Sequence, residues 1–215
     1  LVQIPEKVVA SVQEEDIPAA LDFEIMASGG QSTVASAVPK NERNSDAYQS
    51  EAELEAAFIK QLQRQAYEYI QVESEEALIA NLRRQLELLN NIQFSDSEWK
   101  RFFKASIASE NDGIIEKTRR IQEDYIQVLK RDDGSSKNIW LIDKNNIHNN
   151  RLQVMNQYTV QGSHENRYDV TILVNGLPLV HVELKRRGVA IKEAFDQIER
   201  YQRDSFWSGC GLFEY

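Results

Sequence analysis

The stretch RYDVTILVNGLPLVHVELKRR, residues 167–187, has the apolar pattern of two strands joined by a turn. Three charged residues, Asp169, Glu183 and Lys185, lie inside the predicted strands instead of at the turn. Moving an ion out of water costs several kcal/mol unless a partner compensates for the lost hydration. The charged positions of this hairpin therefore need either ionic partners or a chemical function.

Alternation of side chains between the two faces fixes the register of the predicted hairpin. A two-residue turn at Asn175-Gly176 would set Asp169 opposite Val182 and mix polar with apolar positions. A three-residue loop, residues 175–177, keeps the polar positions together on one face, so we predict this longer loop. The predicted pairs are Asp169 with Glu183, Thr171 with His181, and Leu173 with Leu179, while Val170, Ile172 and Val174 face Val182, Val180 and Pro178.

The predicted register brings the Cβ atoms of Asp169 and Glu183 about 4.5–5.5 Å apart, with Lys185 one step along the same face. Like charges this close repel, so the pair needs a cation or a raised pKa. One interpretation is a solvated polar face on which Lys185 balances two acids. The other is a divalent cation between the carboxylates, because Mg²⁺ is bound by one or two carboxylates and keeps several waters. The spacing alone leaves both interpretations open.

Three helices are predicted before the hairpin, because each begins with a serine that can cap its first turn. They follow Ser50, Ser74 and Ser95, and a glutamate three positions after Ser50 and after Ser95 completes a capping box. A further hairpin is predicted to turn at Asp133-Gly134. From residue 151 onward the order is strand, strand, strand, helix. The chain is therefore predicted to be an α/β protein of the mixed α+β kind.

The composition is that of a globular protein without a membrane span. The 215 residues are 41% hydrophobic, no run approaches about 18 apolar residues, and the N-terminus has no signal-peptide pattern. A cytoplasmic protein is therefore expected. Cys210 cannot form an internal disulfide because it is the single cysteine, and zinc spacing is absent around the histidines. The three histidines are His148, His164 and His181.

The net charge of −9 argues against general nucleic-acid binding, but the charge is unevenly distributed. Residues 1–60 contain 4 basic and 11 acidic residues, whereas residues 151–203 contain 8 basic and 6 acidic ones. The second region can therefore lie beside a phosphate backbone. Residues 1–47 hold three of the four prolines and no sustained periodicity, and we predict a mostly irregular N-terminal arm with room for a short packed piece.

The residues around the hairpin resemble a known nuclease family. Asp169, Glu183 and Lys185 fit the D-(x)n-E-x-K pattern of the PD-(D/E)xK nuclease superfamily, although Tyr168 stands where the superfamily name expects proline. The surrounding sequence, with QIERY at residues 197–201, resembles the N-terminal endonuclease domain of the R (restriction and motor) subunit of type I restriction-modification enzymes. This resemblance covers residues 48–215.

The resemblance implies a restriction-endonuclease-like core, with a central mixed sheet flanked by helices and extra N-terminal helices. It implies that Asp169 and Glu183 bind Mg²⁺ and that Lys185 is the catalytic lysine. It also implies that Gln197 and Tyr201, the ends of a Q-x-x-x-Y motif, position DNA or the catalytic residues. Their spacing agrees with this role because residues four apart share one face of a helix. A core tyrosine beside a surface glutamine is the alternative for this pair.

Several further residues are weaker candidates. Four basic residues that follow the second strand could contact DNA phosphates or could simply be solvated; they are Arg186, Arg187, Lys192 and Arg200. Glu51 and Glu55 lie one helical turn apart and could send a carboxylate toward the metal, although we expect a solvated helix face. His181 shares the acidic face, and we expect it to be a hydrogen-bonded sheet residue and no ligand.

The family resemblance also implies a longer polypeptide. R subunits continue into two motor domains that bind ATP, whereas this chain has no G-x-x-x-x-G-K-[ST] loop and ends in GCGLFEY, where another strand is expected. The expected partners are double-stranded DNA and the methyltransferase and specificity subunits, with cleavage following ATP-driven translocation. The alternative function is a non-catalytic DNA-binding or subunit-docking module that keeps a nuclease-like sheet.

Overall fold

The computed structural model describes residues 22–29, 32–38, 50–109, 111–161, 165–186, 189, 191–204 and 212. The predictions made for Cys210 and His164 lie outside these residues. Contacts divide the chain into two units, Leu1–Ala47 and Tyr48–Tyr215. The first unit contains strands β1 (Asp22–Gly29) and β2 (Ser32–Val38), which pair antiparallel as a hairpin. This hairpin is compatible with the predicted short packed piece, and the mostly irregular character of the rest of residues 1–47 stays a prediction, because those residues lie outside the described ones.

The second unit opens with helices that begin at the predicted caps. Helix α1 (Glu51–Arg64) starts after Ser50, and helix α2 (Glu75–Asn90) follows the two-residue strand β3 (Glu68–Tyr69). Helix α3 (Asp96–Phe102) continues into a π-helical turn, Phe103–Ile107. Both predicted capping boxes form, since the Ser50 and Ser95 hydroxyls accept from the backbone N–H groups three residues later.

A helix and a hairpin follow in the middle of this unit. Helix α4 (Ile114–Gln122) is followed by strands β4 (Ile126–Lys130) and β5 (Ser136–Trp140), which pair antiparallel. Gly134 lies in the turn between them with φ of +84°, the left-handed region that glycine adopts without strain. The predicted hairpin at Asp133-Gly134 is confirmed.

Three of the four strands of the central sheet come from the last third of the chain. Strand β6 (Leu152–Gln161) follows a short 3₁₀ turn, Ile147–Asn149, and is succeeded by β7 (Glu165–Val174), β8 (Leu177–Val182) and helix α5 (Ile191–Asp204). The sheet order is β3-β6-β7-β8, with β3 parallel to β6 and the other neighbours antiparallel. The predicted mixed α/β fold with a central mixed sheet is confirmed. Within the described part of the chain, no helix is both long and apolar enough to cross a membrane.

Two hydrophobic clusters fix helices against this sheet. Ile59 and Leu62 of α1 pack with Val154 of β6 and Val170 of β7. The larger cluster contains the leucine stripe of α2 and the aromatic side chains of α3, together with residues from β4 to β8. Its fully buried leucines on α2 are Leu78, Leu82 and Leu86. These leucines recur at helical spacing, and their complete burial shows that this face of α2 is part of the core.

The turn of the β7–β8 hairpin is shorter than predicted. Asn175 and Gly176, with φ of +51° and +83°, form the two-residue turn, and Leu173 pairs with Pro178 instead of Leu179. A β-bulge at Leu179 then shifts the register by one residue, so the pairs Thr171–His181, Ile172–Val180 and Val170–Val182 are those predicted. The prediction of a three-residue loop is wrong, because the bulge returns the polar residues to one face of the hairpin while the turn keeps only two residues.

Buried contacts hold this tight turn in place. The Asn175 amide donates to the carbonyl of Leu141 at 3.0 Å and to the side chain of Asn150 at 2.8 Å. Its side-chain oxygen accepts from the backbone of Arg151 at 2.8 Å. A Cβ on Gly176 would lie 2.6 Å from the Cα of Leu82, so the turn lies directly against α2. These long-range contacts stabilise the two-residue turn over the longer loop that the sequence pattern predicts.

Candidate catalytic site

The two carboxylates lie where strands β7 and β8 separate. The last paired positions are Val170 and Val182, and Asp169 and Glu183 come directly before and after them. Oδ2 of Asp169 accepts a hydrogen bond from the backbone N–H of Leu184 at 2.9 Å. Asp169 and Glu183 therefore lie one position beyond the last observed pair, where the predicted register would set them opposite each other. At this position the strands are joined by the bond from Leu184 N–H to the Asp169 side chain, and no longer by a backbone pair.

The lysine is joined directly to the second carboxylate. Nζ of Lys185 donates to Oε1 of Glu183 at 2.6 Å, a short charge-assisted bond. The Glu183 side chain is 2% exposed and the Lys185 side chain 18% exposed. A buried carboxylate needs such a partner, because an unpaired one would carry the full cost of lost hydration.

The electrostatics of the group are those of crowded negative charge. Burial raises the pKa of Glu183, and the neighbouring Asp169 raises it further, while Lys185 acts in the opposite direction. Burial acts to lower the pKa of Lys185, but the bond to Glu183 and the charges of Glu183, Glu51 and Asp169 outweigh it, so the pKa is raised. The ammonium is therefore charged at neutral pH and does not fully offset the acids around it.

Glu51 brings a third carboxylate to this end of the sheet. It is the first residue of α1, and its Oε1 accepts from the backbone N–H of Arg186 at 3.3 Å. Its charge contributes to the raised pKa of Lys185. Glu51 is exposed, as expected for a solvated helix face, and it is also bonded to the strand end, so whether it contributes to the site stays a prediction.

His181 lies on the same face, further along β8. Its Nδ1 lies 3.1 Å from Oγ1 of Thr171, and its ring packs on that of Tyr168 with centroids 4.9 Å apart. Burial lowers the pKa of His181 to about 4, so the ring is neutral at pH 7. The expected hydrogen-bonded sheet histidine matches this geometry.

A hard divalent cation fits the donors present. Among the described residues, no three His, Cys, Asp or Glu side chains converge as an all-protein metal cage would require. Two carboxylates with crowded charge suit Mg²⁺ instead, because that ion takes one or two carboxylates and completes its octahedron with water. Burial is the main cause of the raised pKa of Glu183 and the charge of Asp169 adds to it, and a cation between the two carboxylates would offset both effects.

The remaining predicted residues lie on or before α5. Gln197 is half-buried on that helix, and Lys192 and Arg200 are exposed on it. Arg186 is exposed directly after the strand end. Arg187 and the side chain of Tyr201 lie outside the described residues. The structure thus brings Asp169, Glu183 and Lys185 together, while the roles of the α5 residues stay predictions.

Glu55 is the residue whose environment the sequence did not indicate. Its carboxylate is buried and accepts hydrogen bonds from the side-chain amides of Asn156 and Gln157 on β6. The expected solvated helix face is wrong here, because α1 packs against the sheet and buries this position. These partners are about a hundred residues away in the chain, so no local pattern could reveal them.

Residues 48–215 match the family described as the type I restriction enzyme R protein N terminus. The chain is 50% identical over 171 residues to the type I restriction enzyme EcoprrI endonuclease subunit of Escherichia coli. It is 38% identical over 173 residues to the SsaAORF53P endonuclease subunit of Staphylococcus saprophyticus, and 37% identical over 174 residues to the SauMSSORF170P subunit of Staphylococcus aureus.

These matches cover 78–79% of this chain. They cover 55% of the Escherichia coli relative and 18% of each staphylococcal one. The chain therefore spans about half the length of the first relative and much less of the other two.

Proposed function

Because this chain belongs to the family of type I restriction enzyme R proteins, we propose that residues 48–215 form a Mg²⁺-dependent endonuclease domain that hydrolyses phosphodiester bonds in double-stranded DNA. The observation that carries the proposal is the group at the end of the β7–β8 hairpin, in which Asp169, Glu183 and Lys185 meet. Two acids and a charged lysine on one strand end are the groups that metal-assisted phosphodiester hydrolysis needs.

Each residue has a distinct part in this chemistry. When bound, the cation would lower the pKa of a water and stabilise charge on the phosphate. Asp169 and Glu183 would hold it, and the bond from Leu184 N–H fixes the orientation of Asp169 beforehand. Lys185 keeps its positive charge and lies at hydrogen-bond distance from Glu183, so it can stabilise the negative charge that develops on the phosphate.

Glu51 has a supporting part in the same proposal. It holds the backbone after Lys185 through Arg186 N–H, and its charge helps to keep Lys185 protonated. We place it beside the metal site as a group that orients the strand end.

The alternative is a non-catalytic DNA-binding or subunit-docking module. A buried glutamate beside a second carboxylate is costly for stability, and holding a cation would explain why both acids lie at this position. Replacing any one of the three residues in the assembled enzyme distinguishes the two functions. DNA cleavage should be lost if this domain is the nuclease and should be unchanged if it is a non-catalytic module.

The wider activity is proposed from the relatives, whose length exceeds the matched segment. We propose that the complete subunit has ATP-binding motor domains and acts on DNA in the cytoplasm. It would work with methyltransferase and specificity subunits, and cleavage would follow ATP-driven translocation. Gln197 and Tyr201 are proposed to support the site from α5.

DNA binding by the basic residues can be tested through salt dependence. If Arg186, Lys192 and Arg200 neutralise phosphates, each alanine substitution should weaken binding of random-sequence duplex to the complete subunit. The slope of log K against log salt should fall by about 0.9 for each phosphate that is no longer neutralised. Fluorescence anisotropy at several salt concentrations measures this slope. Lys137→Ala, at an exposed position of β5, is the matched control. Unchanged slopes in all three variants would show that these residues are solvated and do not neutralise phosphates.

A further inference from the structure

Strand β6 has an unusual backbone conformation beside Asp169. Gln157 has φ of +53°, in the left-handed region that glutamine rarely adopts. The β6–β7 ladder pairs Asn156 with Val170 and then Tyr158 with Tyr168, and it passes over Gln157 and Asp169 between them. The strained residue therefore lies opposite the first proposed metal ligand. Such conformations persist where surrounding contacts hold them, and they are common at functional sites.

The contacts that hold Gln157 come from α1. The buried carboxylate of Glu55 accepts from the side-chain amides of Gln157 and Asn156, using one oxygen for each. Oδ1 of Asn156 accepts in turn from the hydroxyl of Tyr69 on β3 at 2.7 Å. We call Glu55, Asn156 and Gln157 the Glu55 clamp. Both of its amide donors bond to the same carboxylate, so the two bonds together restrain the orientation of Asn156 and Gln157.

Helix α1 thereby reaches both neighbours of strand β7. Glu55 bonds to β6 on one side, and Glu51, one helical turn earlier, bonds to Arg186 N–H after β8 on the other. Asp169 lies on β7 between these two attachments and bonds across to Leu184. A rotation of β6 at Gln157 would therefore displace the Asp169 carboxylate.

We propose that the Glu55 clamp is a positioning device that holds the left-handed turn of β6 and thereby fixes Asp169 in its metal-binding orientation. The expected effect on metal binding rests on the proposed nuclease function. The expected effect on the orientation of Asp169 does not depend on that function. Glu55, Asn156 and Gln157 act through Asp169 and have no contact with the reacting atoms. Their loss should therefore alter the metal site more than the fold.

The test uses two variants of the complete subunit in the assembled enzyme, Glu55→Ala and Gln157→Gly. The first removes the acceptor, and the second keeps the left-handed backbone accessible while it removes the amide. Glu73→Ala, at an exposed glutamate, is the matched control. Hydrogen exchange of the Leu184 amide reports the Asp169 bond directly. Calorimetry with Mn²⁺ reports metal affinity, and ATP hydrolysis and the unfolding midpoint report the rest of the protein.

Both clamp variants should exchange the Leu184 amide faster and bind Mn²⁺ about 10-fold more weakly, the usual scale for losing a group that orients a ligand. ATP hydrolysis should stay at the level of the control. Leu184 exchange and Mn²⁺ affinity at control values would overturn the proposal. A loss of metal affinity accompanied by an equal loss of folding stability and ATP hydrolysis would also overturn it, in favour of a structural role.

Asp169→Ala separates this inference from the proposed function. If that variant binds Mn²⁺ as the unmodified enzyme does, the nuclease assignment fails. Leu184 exchange in the clamp variants still tests the geometric inference in that case, because the bond from Leu184 to Asp169 does not depend on a metal.

Discussion

Asp169→Ala and Glu183→Ala should each reduce DNA cleavage by the assembled enzyme to background. Each substitution removes one of the two carboxylates available to the cation, and with it the means of activating a water. Lys185→Ala should lower the cleavage rate by roughly 10²-fold or more, the scale of losing one preorganised electrostatic group. Conversion of supercoiled to linear DNA over time measures all three. ATP hydrolysis should continue in each variant, since we assign it to motor domains outside this chain.

Glu73→Ala and Lys137→Ala, at exposed acidic and basic positions, are the controls for these substitutions and should cleave at the normal rate. Normal cleavage by the Lys185→Ala enzyme would contradict the assignment of nuclease activity to this hairpin. Loss of ATP hydrolysis together with cleavage would point to a structural role, because Lys185 also neutralises the buried Glu183.

Gly176→Ala should destabilise the fold by about 2–4 kcal/mol. The new Cβ would lie 2.6 Å from the Cα of Leu82 and 3.1 Å from its backbone nitrogen, so the helix backbone itself would have to move. The φ of +83° adds the strain that a Cβ suffers in the left-handed region. Denaturant unfolding followed by circular dichroism measures the loss of stability.

Gly134→Ala is the matched control for this prediction. Gly134 has nearly the same φ, +84°, but a Cβ added at this position would meet no atom within 4 Å. Its substitution should therefore cost roughly 1 kcal/mol, from backbone strain alone. Equal effects of the two substitutions would show that close packing of the hairpin on α2 contributes little to stability.

Local signals in the sequence predicted much of the second unit. The serine caps before α1, α2 and α3 are specified by a few neighbouring residues, and all three helices start where these caps predict. Alternation along the predicted second strand likewise sets His181, Glu183 and Lys185 on one face, although the observed strand β8 ends at Val182. The pairing of Thr171 with His181 confirms that register.

Contacts between distant segments explain what the sequence did not predict. The two-residue turn at Asn175-Gly176 depends on Leu82, Leu141 and Asn150, which lie far away in the chain. The bulge at Leu179 then repairs the alternation that made such a turn look unfavourable. Burial of Glu55 has the same origin, since only the packing of α1 on β6 supplies its two amide donors.

Binding of Mn²⁺ in crystals of the protein tests the proposed metal site most directly, because this ion replaces Mg²⁺ in oxygen sites and gives an anomalous signal. We expect one or more anomalous peaks within about 2.1 Å of carboxylate oxygens of both Asp169 and Glu183, with waters completing the coordination. Lys185 should then have moved off Oε1 of Glu183 or share that carboxylate with the ion. A hairpin that keeps the Lys185–Glu183 bond and shows no peak at saturating Mn²⁺ would contradict a metal-dependent nuclease at this position.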